Sequence, residues 1–246
     1  MKRIILTMLI IVLPYGVYGQ DLNLNKFQSS TFDGLAKITG QTMGAGIFHN
    51  AGTHDVGGFD AGAKIMVSIV PSGEKTGSLN DTRIVHLPVL QGNIGLPGDF
   101  EIGARYFKYN FGTDSKEEVS FTSGVLKYNI LDGLTFPSIS VFTSFSRLSG
   151  INDFSMNNFS FGAIIGKGLP IVNVYGGAYF NYSVMNIEIS PTPGLYPTGY
   201  SDKIKVKSGV LVGGLAVNLA PFTRLNAEYV LGEIQTFTLG LVFSLF

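Results

Sequence analysis

The sequence predicts an all-β fold: an antiparallel transmembrane β-barrel of about ten strands (range about 8–12), preceded by a short N-terminal helix or coil. Three observations carry that expectation. From Phe59 onward, apolar and polar residues alternate with a period of two over successive segments. Short and long connections between those segments alternate in their turn. Charged residues make up 14% of the chain, against about a quarter in an ordinary soluble domain. Gly (32), Phe (19) and Tyr (11) are abundant.

Residues 1–19 read as a signal peptide. Lys2 and Arg3 form a positive start, and Ile4 to Leu13 an apolar stretch too short to span a bilayer. Val17-Tyr18-Gly19 fits the positions a signal peptidase reads, so cleavage is expected before Gln20. The chain has no cysteine, which excludes disulfides, thiolate metal sites and a lipid anchor on a cysteine at the cleavage site. The formal net charge of zero leaves no electrostatic footprint for nucleic acid. No later run approaches about 18 consecutive apolar residues, so any membrane crossing falls to strands.

Residues 20–58 differ in character. Phe32, Leu35, Ala36 and Met43 recur at helical spacing, while Gly34 and Gly40 interrupt the pattern. A glycine-dense stretch follows from Gly44 to Gly58. The segment reads as a short helix or coil, either folded into the barrel as a plug or left as a periplasmic tail.

Residues 59–246 are expected to form the barrel. In the first strand Phe59, Ala61, Ala63, Ile65, Val67 and Ile69 share one face, and Asp60, Gly62, Lys64, Met66 and Ser68 the other. The expected strands are 59–70, 84–96, 99–111, 118–130, 138–149, 154–167, 171–188, 204–219, 222–231 and 234–246. Pro88 makes the start of the second the weakest, because it cannot donate to a ladder. Compact turns at Pro97-Gly98-Asp99, Gly168-Leu169-Pro170 and Ala220-Pro221 fall in one parity class. The longer connections at 71–83, 112–117 and 189–203 fall in the other, as periplasmic turns and external loops should. The connection at 132–137 and the turn at Gly232-Glu233 depart from that rule.

A secreted β-sandwich also alternates, so strand length and charge placement must decide. Sandwich strands average about 5–6 residues, whereas an oblique bilayer crossing needs about 9–11. Most segments meet the longer requirement. Lys64, Glu101, Arg105, Lys127, Arg224 and Glu228 all fall on the more polar face. A lipid-facing cation at mid-bilayer costs about 2–4 kcal/mol, so this segregation suits a barrel. These six residues form the candidate polar network of the lumen. Glu101 and Arg105, four apart on one strand, would lie about 13 Å from each other, so contacts must run between strands. The network reads either as structural filling of a small lumen or as a ring selecting a substrate.

The last segment, Thr236-Phe237-Thr238-Leu239-Gly240-Leu241-Val242-Phe243-Ser244-Leu245-Phe246, resembles the terminal signal used by the barrel-assembly machinery, with Ser244 departing from the aromatic often found there. The glycine-rich lead-in from Gly44-Ala45-Gly46 to Gly57-Gly58-Phe59, the strand ending Val70-Pro71, and Leu87-Pro88-Val89-Leu90-Gln91-Gly92-Asn93-Ile94-Gly95-Leu96 resemble an uncharacterised family of Gram-negative outer-membrane barrels. That family is distantly similar to the outer-membrane long-chain fatty-acid transporters. The resemblance implies an outer-membrane location and a channel or transporter for small hydrophobic molecules. Those transporters have more strands than this length accommodates, so none of their functional residues carries over. The alternative is a non-conducting structural or surface-interaction barrel, since eight-stranded barrels are already filled by side chains. Expected partners are outer-membrane lipid, the barrel-assembly machinery through Phe246, and a small hydrophobic ligand.

No catalytic constellation stands out. His49 and His54 lie near Asp55 and Asp60, but their spacing is no recognised metal-ligand pattern, and they read as solvated or plug-packing side chains. His86 stands alone. The glycine clusters lack the strand-to-helix setting and the Lys-Ser/Thr of a phosphate loop. The sequence therefore predicts no enzyme, no cofactor and no metal site.

Overall fold

The computed structural model describes residues 29–75, 79, 82–110, 118–132, 136–151, 154–191 and 199–245. The expected signal peptide, the start of the N-terminal segment and the Phe246 signal lie outside the described residues. A helix, α1 (Ser29–Gly44), precedes ten strands: β1 (Phe59–Ile69), β2 (Ile84–Leu96), β3 (Phe100–Asn110), β4 (Glu118–Leu131), β5 (Ser138–Ile151), β6 (Phe154–Gly168), β7 (Val172–Ile189), β8 (Tyr200–Ala220), β9 (Thr223–Leu231) and β10 (Thr236–Leu245). Each strand pairs antiparallel with the next, and β1 closes on β10 to complete a barrel. At that seam Phe59 stands opposite Leu245 and Ser68 opposite Thr236.

Alternation along each strand becomes the two faces of the wall. Asp60, Lys64, Met66 and Ser68 of β1 point inward and are buried, while Leu90, Phe145, Phe161, Phe180, Leu211 and Leu239 stand exposed on the outer surface. Strand limits follow the sequence reading within a few residues, and the largest shift is β8, which starts at Tyr200 rather than 204. Pro88 sits within β2, just beyond Leu90–Tyr106 where the ladder to β3 ends, so its missing N–H is tolerated.

The barrel has two mouths. The proximal mouth holds the start of β1, the end of β10 and the tight turns after β2, β6 and β8; the distal mouth holds the longer connections after β1 and β7. Residues 32–54 run through the interior, and Asp55 to Gly57 emerge exposed at the proximal mouth. α1 begins at the distal mouth, where Phe32 stacks on Tyr200 at 5.8 Å and Lys37 pairs with Glu74 at 2.8 Å. Deeper, Thr42 Oγ1 meets Ser68 Oγ at 2.6 Å. The chain then reaches the proximal mouth, where Gly57 and Gly58 hydrogen-bond Gly95 of β2.

Glycine inside a helix costs about 1 kcal/mol relative to alanine, yet α1 forms over Gly34 and Gly40. The reason is tertiary. A Cβ at Gly40 would collide with Ser183 and Met156, so the helix can approach the wall here only without a side chain. On its other faces Phe32, Leu35, Ile38 and Met43 join a buried apolar cluster with Met66, Phe121, Met156 and Val210.

Candidate functional site: the filled lumen

A helix leaves its last carbonyls without intrahelical partners, and these carry the negative end of its dipole. Buried inside a barrel, they must find donors on the wall. Arg105 supplies two: Nη1 donates to Ala45 O at 2.7 Å and Nη2 to Met43 O at 2.8 Å. Ser123 and Ser146, each 3.1 Å from Nη2, hold the guanidinium in place. Beyond the helix, Gly46 turns the chain at φ +69°, a conformation suited to glycine. Its N–H donates to Glu228 Oε1 at 2.8 Å, and Lys64 Nζ donates to Gly46 O at 2.9 Å and Phe48 O at 2.7 Å. Gln91 Nε2 donates to Ile47 O at 2.9 Å. Four strands thus hold one irregular stretch of backbone, which could not otherwise be buried without loss.

Toward the proximal mouth the interior becomes an acid–base cluster. His49 Nε2 lies 2.6 Å from Asp60 Oδ2, and His54 Nε2 lies 3.3 Å from the same oxygen. The other ring nitrogen of His54 is 2.7 Å from Glu101 Oε2. Lys127 Nζ meets Glu101 Oε1 at 2.8 Å, and Asn93 Nδ2 donates to Asp60 Oδ1 at 2.7 Å. His49 and His54 belong to the linker between α1 and β1, not to a spanning strand. Burial lowers His49 below its ordinary value despite Asp60. Burial opposes protonation of His54 as well, but the adjacent carboxylates of Asp60 and Glu101 raise it to about 9.

Five of the six residues read from the sequence point inward and are buried: Lys64, Glu101, Arg105, Lys127 and Glu228. Glu101 and Lys127 are directly opposite on β3 and β4, so their pair is a cross-strand rung. Arg224 shares the inward side of β9 with Asn226 and Glu228 but stays half-buried near the proximal mouth, and no ion pair among the described residues includes it. Asp60 was on the polar face of β1 in the sequence and completes three buried anions against three buried cations. Of the two expectations for His49 and His54, solvated or plug-packing, the second fits: both are buried, against Asp60 of β1 and Glu101 of β3. His86 stays on β2, half-buried and apart from the cluster.

The match that places this chain among known proteins begins after β1 and runs through β10, over residues 76–245. The chain belongs to the family of unknown function DUF6588. No curated relative matches it. Among solved structures, the translocator domain of the autotransporter NalP from Neisseria meningitidis is 11% identical, with a TM-score of 0.47, over 87% of this chain and 97% of that one. Ail, the attachment invasion locus protein of Yersinia pestis, in complex with the heparin analogue sucrose octasulfate, is 12% identical, with a TM-score of 0.33, over 78% and 100%. The N-terminal β-barrel domain of Pseudomonas aeruginosa OprF is 14% identical, with a TM-score of 0.29, over 75% and 99%.

Proposed function

We propose that this DUF6588 protein is an outer-membrane β-barrel of a Gram-negative envelope, plugged by its own residues 32–54, and that it serves as a structural or surface-interaction barrel closed at rest. The observation that carries this reading is the grip of Arg105, Lys64, Gln91 and Glu228 on the backbone from Met43 to Phe48. Charge supports it. A selecting ring concentrates one sign, whereas the buried wall carries Lys64, Arg105 and Lys127 against Asp60, Glu101 and Glu228. A passage for small hydrophobic molecules, as the fatty-acid transporter resemblance implies, needs an apolar lining. Here the apolar part of the wall, with Met66, Phe121 and Met156, is packed against α1, and the lining around Met43 to His54 is charged and hydrogen-bonded. A cavity of about 190 Å³ beside residues 50–53 at the proximal mouth is also polar, with Asp132, Ser138, Lys167 and Asn173 on its walls.

The outer surface supports the membrane placement. Outward positions of β8 from Gly209 to Leu219 are Gly, Leu or Val without a charge. Ten residue steps at about 3.4 Å, tilted by about 40°, project to about 26 Å, close to the apolar band of outer-membrane barrels. Above that band Lys207 lies over the Tyr182 ring at 5.9 Å, an amphipathic pair suited to the interface. Lys203 and Lys205 follow outward on the distal side, where phosphate-bearing headgroups would meet them.

Planar-bilayer recording tests the closed state. The mature protein should show no steady conductance, and deletion of 20–45 should open one. Steady conduction by the intact protein overturns the closed barrel. A mature protein that stays folded and monomeric without detergent overturns the membrane placement.

A further inference from the structure

Three buried atoms without a hydrogen-bond partner face one another in the linker cluster: His49 Nε2, His54 Nε2 and Asp60 Oδ2. The oxygen lies 2.6 Å and 3.3 Å from the two nitrogens, yet off the line that a ring N–H would need. Buried polar atoms are satisfied in the great majority of cases, so three convergent exceptions require a cause. Nδ1 of His49 also has no partner, while the far sides of Asp60 and His54 are held. Asn93 holds the far oxygen of Asp60 at 2.7 Å. Glu101 lies 2.7 Å from Nδ1 of His54, and Lys127 in turn holds the far oxygen of Glu101 at 2.8 Å. A carboxylate behind an imidazole fixes the tautomer and turns the other nitrogen's lone pair forward, as it does behind metal-binding histidines.

We propose that His49 Nε2, His54 Nε2 and Asp60 Oδ2 form a site for a divalent transition-metal ion, zinc by preference. Two imidazoles and a carboxylate are a donor set that suits zinc. Tetrahedral bonds of about 2.0–2.1 Å place ligand atoms about 3.3 Å apart; His54 and Asp60 already stand at 3.3 Å, and His49 Nε2, at 2.6 Å from the same oxygen, moves back as the ion enters. A fourth position is left for water, since both oxygens of Glu101 are engaged, one by Nδ1 of His54 and the other by Lys127. The ion would join the linker to β1 directly and to β3 through Glu101. This inference rests on the lumen geometry alone and does not depend on the membrane placement.

The test uses the full mature protein in detergent, stripped with EDTA, then titrated with Zn²⁺ by calorimetry and with Co²⁺ by visible absorption. One equivalent of each should bind, with the absorption of tetrahedral Co²⁺. His49→Gln, shown folded by the same heat-dependent gel mobility as the parent, should weaken Zn²⁺ binding at least tenfold. Glu101→Gln should weaken it by about 10–100-fold through the orientation of His54. Failure of the folded parent to take up stoichiometric Zn²⁺, or an unchanged affinity and Co²⁺ spectrum in folded His49→Gln, overturns the site. Conductance separates this from the closed-barrel reading: the stripped protein remains closed, because Arg105 and Lys64 hold the plug without an ion.

Discussion

Glu228 on β9 accepts the backbone N–H of Gly46 at 2.8 Å, across 182 residues of sequence. Glu228 also takes Tyr175 Oη at 3.2 Å on its other oxygen, and Asn226 Nδ2 donates to that same hydroxyl at 3.0 Å. One carboxylate therefore ties the turn after α1 to β7 and β9. A buried carboxylate is tolerable only with such partners.

Gly46→Ala should weaken this turn. Its left-handed backbone disfavours any Cβ by about 1–2 kcal/mol, and the added atom would also press on Met66. Urea unfolding in lipid vesicles should show a lower midpoint, while far-UV circular dichroism stays that of a barrel. An unchanged midpoint would remove the turn from the account.

Arg105→Met keeps the volume but orphans the carbonyls of Met43 and Ala45. Each orphan costs about 1–3 kcal/mol, so the plug should loosen before the wall does. The expected readout is protease cleavage within residues 29–58 of a barrel that still shows its folded gel mobility. Arg105→Lys should restore little, because an ammonium cannot span both carbonyls and two serines with a planar fork.

Leu215→Arg places a cation in the outward apolar band and should cost about 2–4 kcal/mol in lipid. The same change in a water-facing position would fall within about 0.5 kcal/mol. Equal midpoints for Leu215→Arg and the parent in bilayers would contradict the membrane-facing assignment of this face.

Lys203→Ala combined with Lys205→Ala should leave stability in neutral vesicles unchanged. In vesicles with anionic headgroups the parent should gain stability that the double variant lacks, and salt should erase the difference. A gain equal in both proteins would separate these lysines from headgroup recognition.

The wall was legible in the sequence because each strand carries its own two-residue period. Lys64, Glu101, Arg105, Lys127 and Glu228 declared their side through the apolar neighbours on either flank. The site was not legible. His49 and His54 meet Asp60 and Glu101 only because the linker runs down the lumen to the proximal mouth beside β1 and β3, and nothing local encodes that path. Gly34 and Gly40 pointed away from a helix, since their use is in close approach, Gly34 to Glu74 of the connection after β1 and Gly40 to the wall at Ser183, which sequence spacing does not reveal. Arg224 shows the converse: inward parity set its face, but its place near the rim kept it out of the buried pairs.

α1 starts at the mouth opposite the start of β1, so the polypeptide travels the length of the lumen before its first strand begins. Closing the seam then encloses a segment already threaded. Once β1 is joined to β10, the helix can enter or leave only lengthwise through a mouth, with its C-terminal side tethered at Phe59. Topology therefore favours an order of assembly in which the N-terminal segment is in position before the last pair of strands locks. A bulky folded domain fused ahead of Ser29 would have to be carried across before closure or would hold the seam open.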